Sequence, residues 1–438
     1  MLALIEAVAR PVVQPPPSGI EGDDPDRSWT RKAAIDLLMS GLRQGADGIP
    51  FAKAELVQAL VLELYRAAPR LADTEDFEES YRRFPHFGAQ STWRGAAVEL
   101  CVLLIHWLHT DWESEVGKSP REALEKLPDI RQVFETELAD RTPAGRIPRA
   151  ILGRYLNLLD YFAETWLAQH LPMLLPADDD LSLRDAAWLA HLSADRGPNV
   201  DLAPAMRDCY VTEIGRLGAD SAARDPRHVD DRLAEYLVIL YEHAALPDEV
   251  FELFWDTAPV SVRQHAIWFL GIQLELPSDR ITDEARARAY SYWDSRRAAA
   301  KASATPDYFR EEVGAIGQFF FRNGIPDEWL MDQVLMMSEA GFAPSESYSV
   351  MDRLVKISPN FPDRVPQVLG ALVKNQHFDH WVYMSQSAAI RTILVNGLAT
   401  GAPATASVVT EAINYLAAMG ETGYLDLLPN PQSTRPQK

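Results

Sequence analysis

Apolar residues at three- and four-residue spacing, punctuated by proline, recur along nearly the whole chain, and that one pattern restricts it to helical folds. Ile35, Leu38, Met39 and Leu42 mark one face at i, i+3, i+4 and i+7. Leu56, Leu60 and Leu64 mark the next, which ends at Pro69. Ser91 reads as the N-cap of a long apolar helix. Asp129 reads as the cap of a helix that turns Ile130, Val133, Phe134 and Leu138 inward. Further helices are predicted near 229–245, 247–257, 259–274, 306–321, 326–340, 346–357, 363–374, 384–399 and 403–419. Pro247, Pro259, Pro306, Pro326, Pro344, Pro366 and Pro403 stand at or near helix entries, where a missing N–H costs least. Gly341 and Gly401 sit where helices should stop. Strand signals are nearly absent, and no Asn-Gly or Asp-Gly turn joins two alternating runs.

Helix pairs recur at about 35–45 residues, the range of two-helix solenoid repeats, although no repeat consensus passes from one pair to the next. The expected fold is therefore all-α: an irregular α-solenoid of helical hairpins, HEAT- or armadillo-like. One or two irregular globular helical domains are the competing arrangement. The expected organisation is an N-terminal helix with a Pro-rich and acidic linker over 1–28, helical-repeat regions over 29–220 and 221–428, and a disordered tail over 429–438.

Lys and Arg number 42 against 63 Asp and Glu, so the 438-residue chain carries a formal charge of −21. Such a body repels phosphate backbones, which disfavours nucleic acid as a partner. Cys101 and Cys209 alone are too few for a disulfide framework or a thiolate metal site, and a reducing, cytoplasmic setting is the default expectation. Residues 1–10 make a poor signal peptide, with Glu6 inside the apolar run and no basic start. The best apolar stretch, Ala96 to Leu108, is broken by Glu99 and His106, so no membrane span is expected.

No catalytic signature emerges. Gly117-Lys118-Ser119 resembles the end of a phosphate-binding loop, but Trp112 occupies the position of the required first glycine and Pro120 follows. A helix cap with Ser119, Pro120 and Glu122 fits those residues better. His106 and His109, with Asp111 close by, share an i, i+3 spacing, as do His377 and His380; both pairs lack the arrangement of a metalloprotease helix. Cys101 lies among apolar residues that would raise its pKa, and Cys209, beside Arg207 and Asp208, has no histidine to activate it. Asp178-Asp179-Asp180 reads as a solvated loop, with a docking loop for a basic partner as the minority reading. The eleven tryptophans, among them Trp93, Trp107, Trp112, Trp166, Trp188, Trp255, Trp268, Trp293, Trp329 and Trp381, are expected mainly to bind one hairpin to the next. Some are candidates for recognition hot spots.

The segment Ser91-Thr92-Trp93-Arg94-Gly95-Ala96-Ala97-Val98-Glu99 resembles the start of a long helix in the C-terminal helical-repeat regions of large bacterial proteins. In those proteins the repeats follow nucleotide-binding modules of the STAND-like or related ATPase type, often associated with anti-phage defence. Arg154-Tyr155-Leu156 with Trp166, Ile267 to Gly271, and the pair Ala389–Leu398 and Val408–Leu416 closing on Gly423 to Leu428 agree in style, so the likeness covers 29–428. The resemblance implies a sensing, autoinhibitory or scaffolding role with catalysis elsewhere, and it carries over no catalytic residue. The chain departs from such proteins in holding no phosphate-binding loop and no effector domain.

The expected function is a non-catalytic scaffold or sensor that captures a protein partner, with an ATPase module among the candidates. Aromatic anchors and an acidic rim would select a basic patch. No catalytic residue, cofactor or metal is assigned. The alternatives are an enzyme whose site is not readable as a motif, and a nucleic-acid-binding helical repeat.

Overall fold

The computed structural model describes residues 2–9, 28–44, 48–69, 85–113, 122–176, 181–194, 197–218 and 226–428. The Pro11–Pro17 stretch, the acidic loop at 23–26, Gly117 to Pro120, Asp178 to Asp180 and the 429–438 tail lie outside them. Among the described residues every regular element is a helix and no strand occurs. None of the helices is long and apolar enough to cross a membrane. The chain divides into two compact units, Met1–Leu233 and Ala234–Lys438.

The first unit opens with α1 (Leu2–Ala9), α2 (Ser28–Arg43), α3 (Ala54–Ala67), α4 (Pro85–Ser91) and α5 (Trp93–Glu113). It continues through α6 (Pro128–Ala139), α7 (Arg146–Arg154), α8 (Leu156–Leu174), α9 (Leu181–Leu192) and α10 (Arg207–Ile214). The helix α11 (Pro226–Glu242) follows. The cap of α5 is Thr92, one residue beyond the expected Ser91: Thr92 Oγ1 accepts the Gly95 N–H at 2.9 Å, while Ser91 Oγ donates back to Gly88 O. Asp129 likewise lies inside the first turn of α6, behind Pro128, rather than capping it.

Two helices organise this unit. The long apolar α5 packs against α2, α3, α4 and α7. The short α7 packs against α4, α5, α6, α8 and α9, and Ile147 to Gly153 are all buried. A helix in a stack of hairpins keeps one face toward solvent; α7 keeps almost none. Its approach to α9 is backbone to backbone, since a Cβ on Gly153 would stand 2.2 Å from the Ala187 carbonyl oxygen. The helix α8 is broken at Ala163 (φ −149°, ψ 37°), and the Phe162 carbonyl accepts the N–H of Ala123 at 3.0 Å.

The second unit takes in the last part of α11 and then α12 (Asp248–Thr257), α13 (Val260–Glu275), α14 (Asp283–Ala302) and α15 (Asp307–Gly314). A 3-10 stretch, Ala315–Phe321, leads to α16 (Asp327–Glu339), α17 (Ser347–Ile357) and α18 (Arg364–Lys374). The unit closes with α19 (Trp381–Ser385), α20 (Ser387–Ala399), α21 (Pro403–Ala418) and a final 3-10 turn, Thr422–Leu427. Here packing follows chain order. The helix α13 meets α14 and α15, α16 meets α18, α17 meets α19 and α20, and α18 and α20 both meet α21. Leu, Ile and Val at helical spacing supply the buried stripes, such as Val350, Met351, Leu354 and Ile357 on α17.

Candidate interaction surface

Most buried charge in this protein is tied into fixed pairs. In the first unit Glu137 accepts from Tyr65 Oη at 2.5 Å and from the Arg94 guanidinium, whose carbon lies 3.9 Å over the Tyr65 ring. Fully buried Glu99 accepts from Arg43 (2.9 Å), Gln90 (2.5 Å) and Tyr155 Oη (2.5 Å). Burial and the adjacent carboxylates push both phenols, Tyr65 and Tyr155, well above their ordinary range. Glu213 holds Arg184 and Arg216, and Arg216 also grips both oxygens of Asp185 at 2.7 and 2.9 Å. Arg149 spreads over four carbonyls, those of Leu138, Asp140, Gly145 and Met173, and so gathers the ends of α6 and α8 around α7.

The second unit repeats the device: Glu312 accepts from Arg263 at 2.6 Å and from Arg296 at 2.7 Å. A buried charge is tolerated when it is paired and hydrogen-bonded, and these pairs are fastenings between helices distant in sequence.

The residues singled out as possible chemistry are dispersed. His106 is exposed while His109 is buried with its ring 5.1 Å from Tyr161, so the two do not share an environment. His377 and His380 are both exposed, and His380 packs edge-on against Tyr383. Among the described residues no group of three or more His, Cys, Asp or Glu is placed to hold a metal ion. Burial raises the Cys101 thiol far out of the reactive range and pushes Cys209 up to about 11, against the opposing pull of Arg184. A shallow furrow of about 560 Å³ runs along α6, lined by Gln132, Glu135, Thr136, Ala139, Asp140, Arg141 and Thr142. Its walls are one helix and the turn after it.

The tryptophans sort clearly. Trp93, Trp107, Trp166, Trp188, Trp255 and Trp293 are buried, Trp268 and Trp329 are half-buried, and Trp29, in the first turn of α2, is 74 % exposed. Trp381 is 70 % exposed, and Tyr348 and Met384 are each about half exposed. These three belong to one surface. Met384 follows Trp381 by three residues on α19, and Ser385 Oγ, one residue further, donates to Tyr348 Oη at 3.1 Å. In the same short helix Val382 and Tyr383 turn inward, and Tyr383 Oη donates to the Leu372 carbonyl at 2.9 Å. The buried pair anchors the exposed pair.

Three carboxylates border this cluster. Asp379 accepts the Trp381 N–H at 3.0 Å, Asp352 accepts from Gln386 Nε2 at 3.3 Å, and Glu346 accepts from Gln318 Nε2 at 2.8 Å. Their partners are neutral amides. Glu346 is held at φ 53°, the left-handed region that favours glycine, just ahead of α17.

No family model matches the chain, and neither a curated protein nor a solved structure matches it.

Proposed function

We propose that this chain is a non-catalytic helical-repeat protein, a scaffold or sensor that binds a protein partner. The carrying observation is the exposure of Trp381, Tyr348 and Met384 together on α17 and α19 of the second unit, whose other tryptophans, Trp255, Trp268, Trp293 and Trp329, are buried or half-buried. An exposed aromatic on a rigid helix is a ready anchor for association. The chain-order packing of α13 to α21 supports reading that unit as a stack of helical hairpins, an architecture that offers extended binding faces. The buried Arg–Glu pairs and raised thiols support the non-catalytic reading, because those groups are held in structural roles. The resemblance to repeat regions that follow ATPase modules makes an ATPase-bearing protein the first partner to seek.

The test is affinity capture from the native host's lysate, followed by reconstitution with the purified partner. A saturable complex of fixed stoichiometry is expected. Failure of every captured protein to rebind in purified form would sink the reading.

A further inference from the structure

The Trp381 surface also specifies the chemistry of its partner. We infer that it receives a segment of the partner protein rich in arginine or lysine, seated on the Trp381 and Tyr348 rings and held by Asp352, Asp379 and Glu346. The inference rests on the partner-binding reading above and deepens it.

Each part of the argument is local. The Trp381 ring has no ring or cation contact among the described residues, whereas three other aromatic rings of the same unit are each covered by an arginine. Arg263 lies 3.7 Å over Tyr308, Arg296 4.0 Å over Trp255, and Arg288 4.4 Å over Tyr241. A guanidinium over an indole is the strongest of these cation–π pairings. Asp352, Asp379 and Glu346 accept only amide hydrogens and make no ion pair among the described residues. Neighbouring acids of the same unit are already neutralised: Asp327 by Arg353, Asp332 by Arg364, Asp307 by Arg310. An apolar platform bordered by uncompensated negative charge, on a chain of net charge −21, is complementary to a cationic and partly apolar segment. An acidic or phosphate-bearing partner would meet like charge at Glu346, Asp352 and Asp379.

The probe is a synthetic peptide of alternating arginine and leucine, with a glutamate–leucine peptide as control, titrated by calorimetry at low and high salt. Three full-length proteins are compared: wild type, Trp381→Ala, and the triple variant Glu346→Gln/Asp352→Asn/Asp379→Asn, which keeps the amide hydrogen bonds. Circular dichroism melts confirm that all three fold alike. The arginine peptide is expected to bind wild type, to weaken about tenfold in Trp381→Ala, and to lose its salt dependence along with affinity in the triple variant. Equal binding to all three would overturn the inference, because the general acidic field would then be responsible. Self-association of wild type that Trp381→Ala abolishes, with no peptide bound, would overturn it in favour of a second copy of the chain. A reconstituted natural partner that binds Trp381→Ala as well as wild type would overturn the site while leaving the partner-binding reading intact. Site-specific peptide binding with no natural partner would do the reverse.

Discussion

The Arg263 guanidinium meets Glu312 Oε2 at 2.6 Å with both side chains cut off from solvent, and Arg296 closes on the other oxygen of the same carboxylate at 2.7 Å. The carboxylate thereby joins α13, α14 and α15, while the two arginines stack on Tyr308 and Trp255. Removing Glu312 leaves two guanidinium groups in an interior that cannot solvate them. Glu312→Ala is expected to cost about 3–5 kcal/mol, the range for breaking a buried pair from one side. Denaturant unfolding read by tryptophan fluorescence checks this. A loss below about 1 kcal/mol would show that water reaches the site.

Trp293 and Trp381 make a matched contrast. Trp293 is fully buried, with Nε1 donating to Gln333 Oε1 at 2.9 Å, while Trp381 stands open to solvent. Trp293→Ala should destabilise by about 3–5 kcal/mol, since it opens a cavity and strands a buried amide oxygen. Trp381→Ala should fall within about 0.5 kcal/mol of wild type. Paired melting curves test both, and a large loss for Trp381→Ala would mean that this side chain belongs to the core.

The two thiols should be inert in the native protein. At the raised value of about 11 for Cys209, roughly one molecule in ten thousand carries the thiolate at neutral pH, and Cys101 is more deeply suppressed. Iodoacetamide labelling followed by mass spectrometry is expected to be slow for the folded chain and fast in urea. Rapid native labelling at Cys209 would contradict the burial on which that shift depends.

How much of this was legible beforehand depends on the scale of the interaction. Helices with Leu, Ile and Val stripes announce themselves, as Val368, Leu369 and Leu372 do on α18. The twenty-residue α14 does not, because its buried face is Ala285, Ala289, Tyr292, Trp293 and Ala300, and alanine carries little periodic contrast. Its Thr282 cap, which accepts the Ala285 N–H, and its acidic first turn were the available signals. Ser91 and Thr92 offer adjacent hydroxyls, and only the fold decides that the second one caps α5. The buried pairs are out of reach of local pattern altogether: Arg94 and Glu137 lie 43 residues apart, Arg263 and Glu312 lie 49. Trp381 was recognisable as an anchor by residue type. Its exposure was not, since α19 is too short to display a stripe.

Glu242 offers the sharpest test of the second unit's electrostatics. The side chain is buried at the C-terminal end of α11, where helix carbonyls already disfavour negative charge, and its Oε1 has no hydrogen-bond partner. Tyr292 Oη, a neighbour in the same field, is also buried and unpartnered. Arg286 opposes the effect, but its guanidinium is engaged by the Leu274 and Leu276 carbonyls. Burial wins and lifts the Glu242 carboxyl from its ordinary 4.5 to about 8, so the folded protein holds it as the neutral acid at pH 7. The unfolded chain releases that proton from about pH 4.5 upward. The stabilisation is therefore complete below pH 4.5 and disappears as pH rises through 8, with a slope of about 1.4 kcal/mol per pH unit between them. Glu242→Gln should remove this slope and unfold later than wild type above neutrality, by an amount on the order of 3 kcal/mol. Urea midpoints for both proteins between about pH 5 and pH 9 test it. Parallel pH profiles would show that Glu242 is ionised in the folded chain.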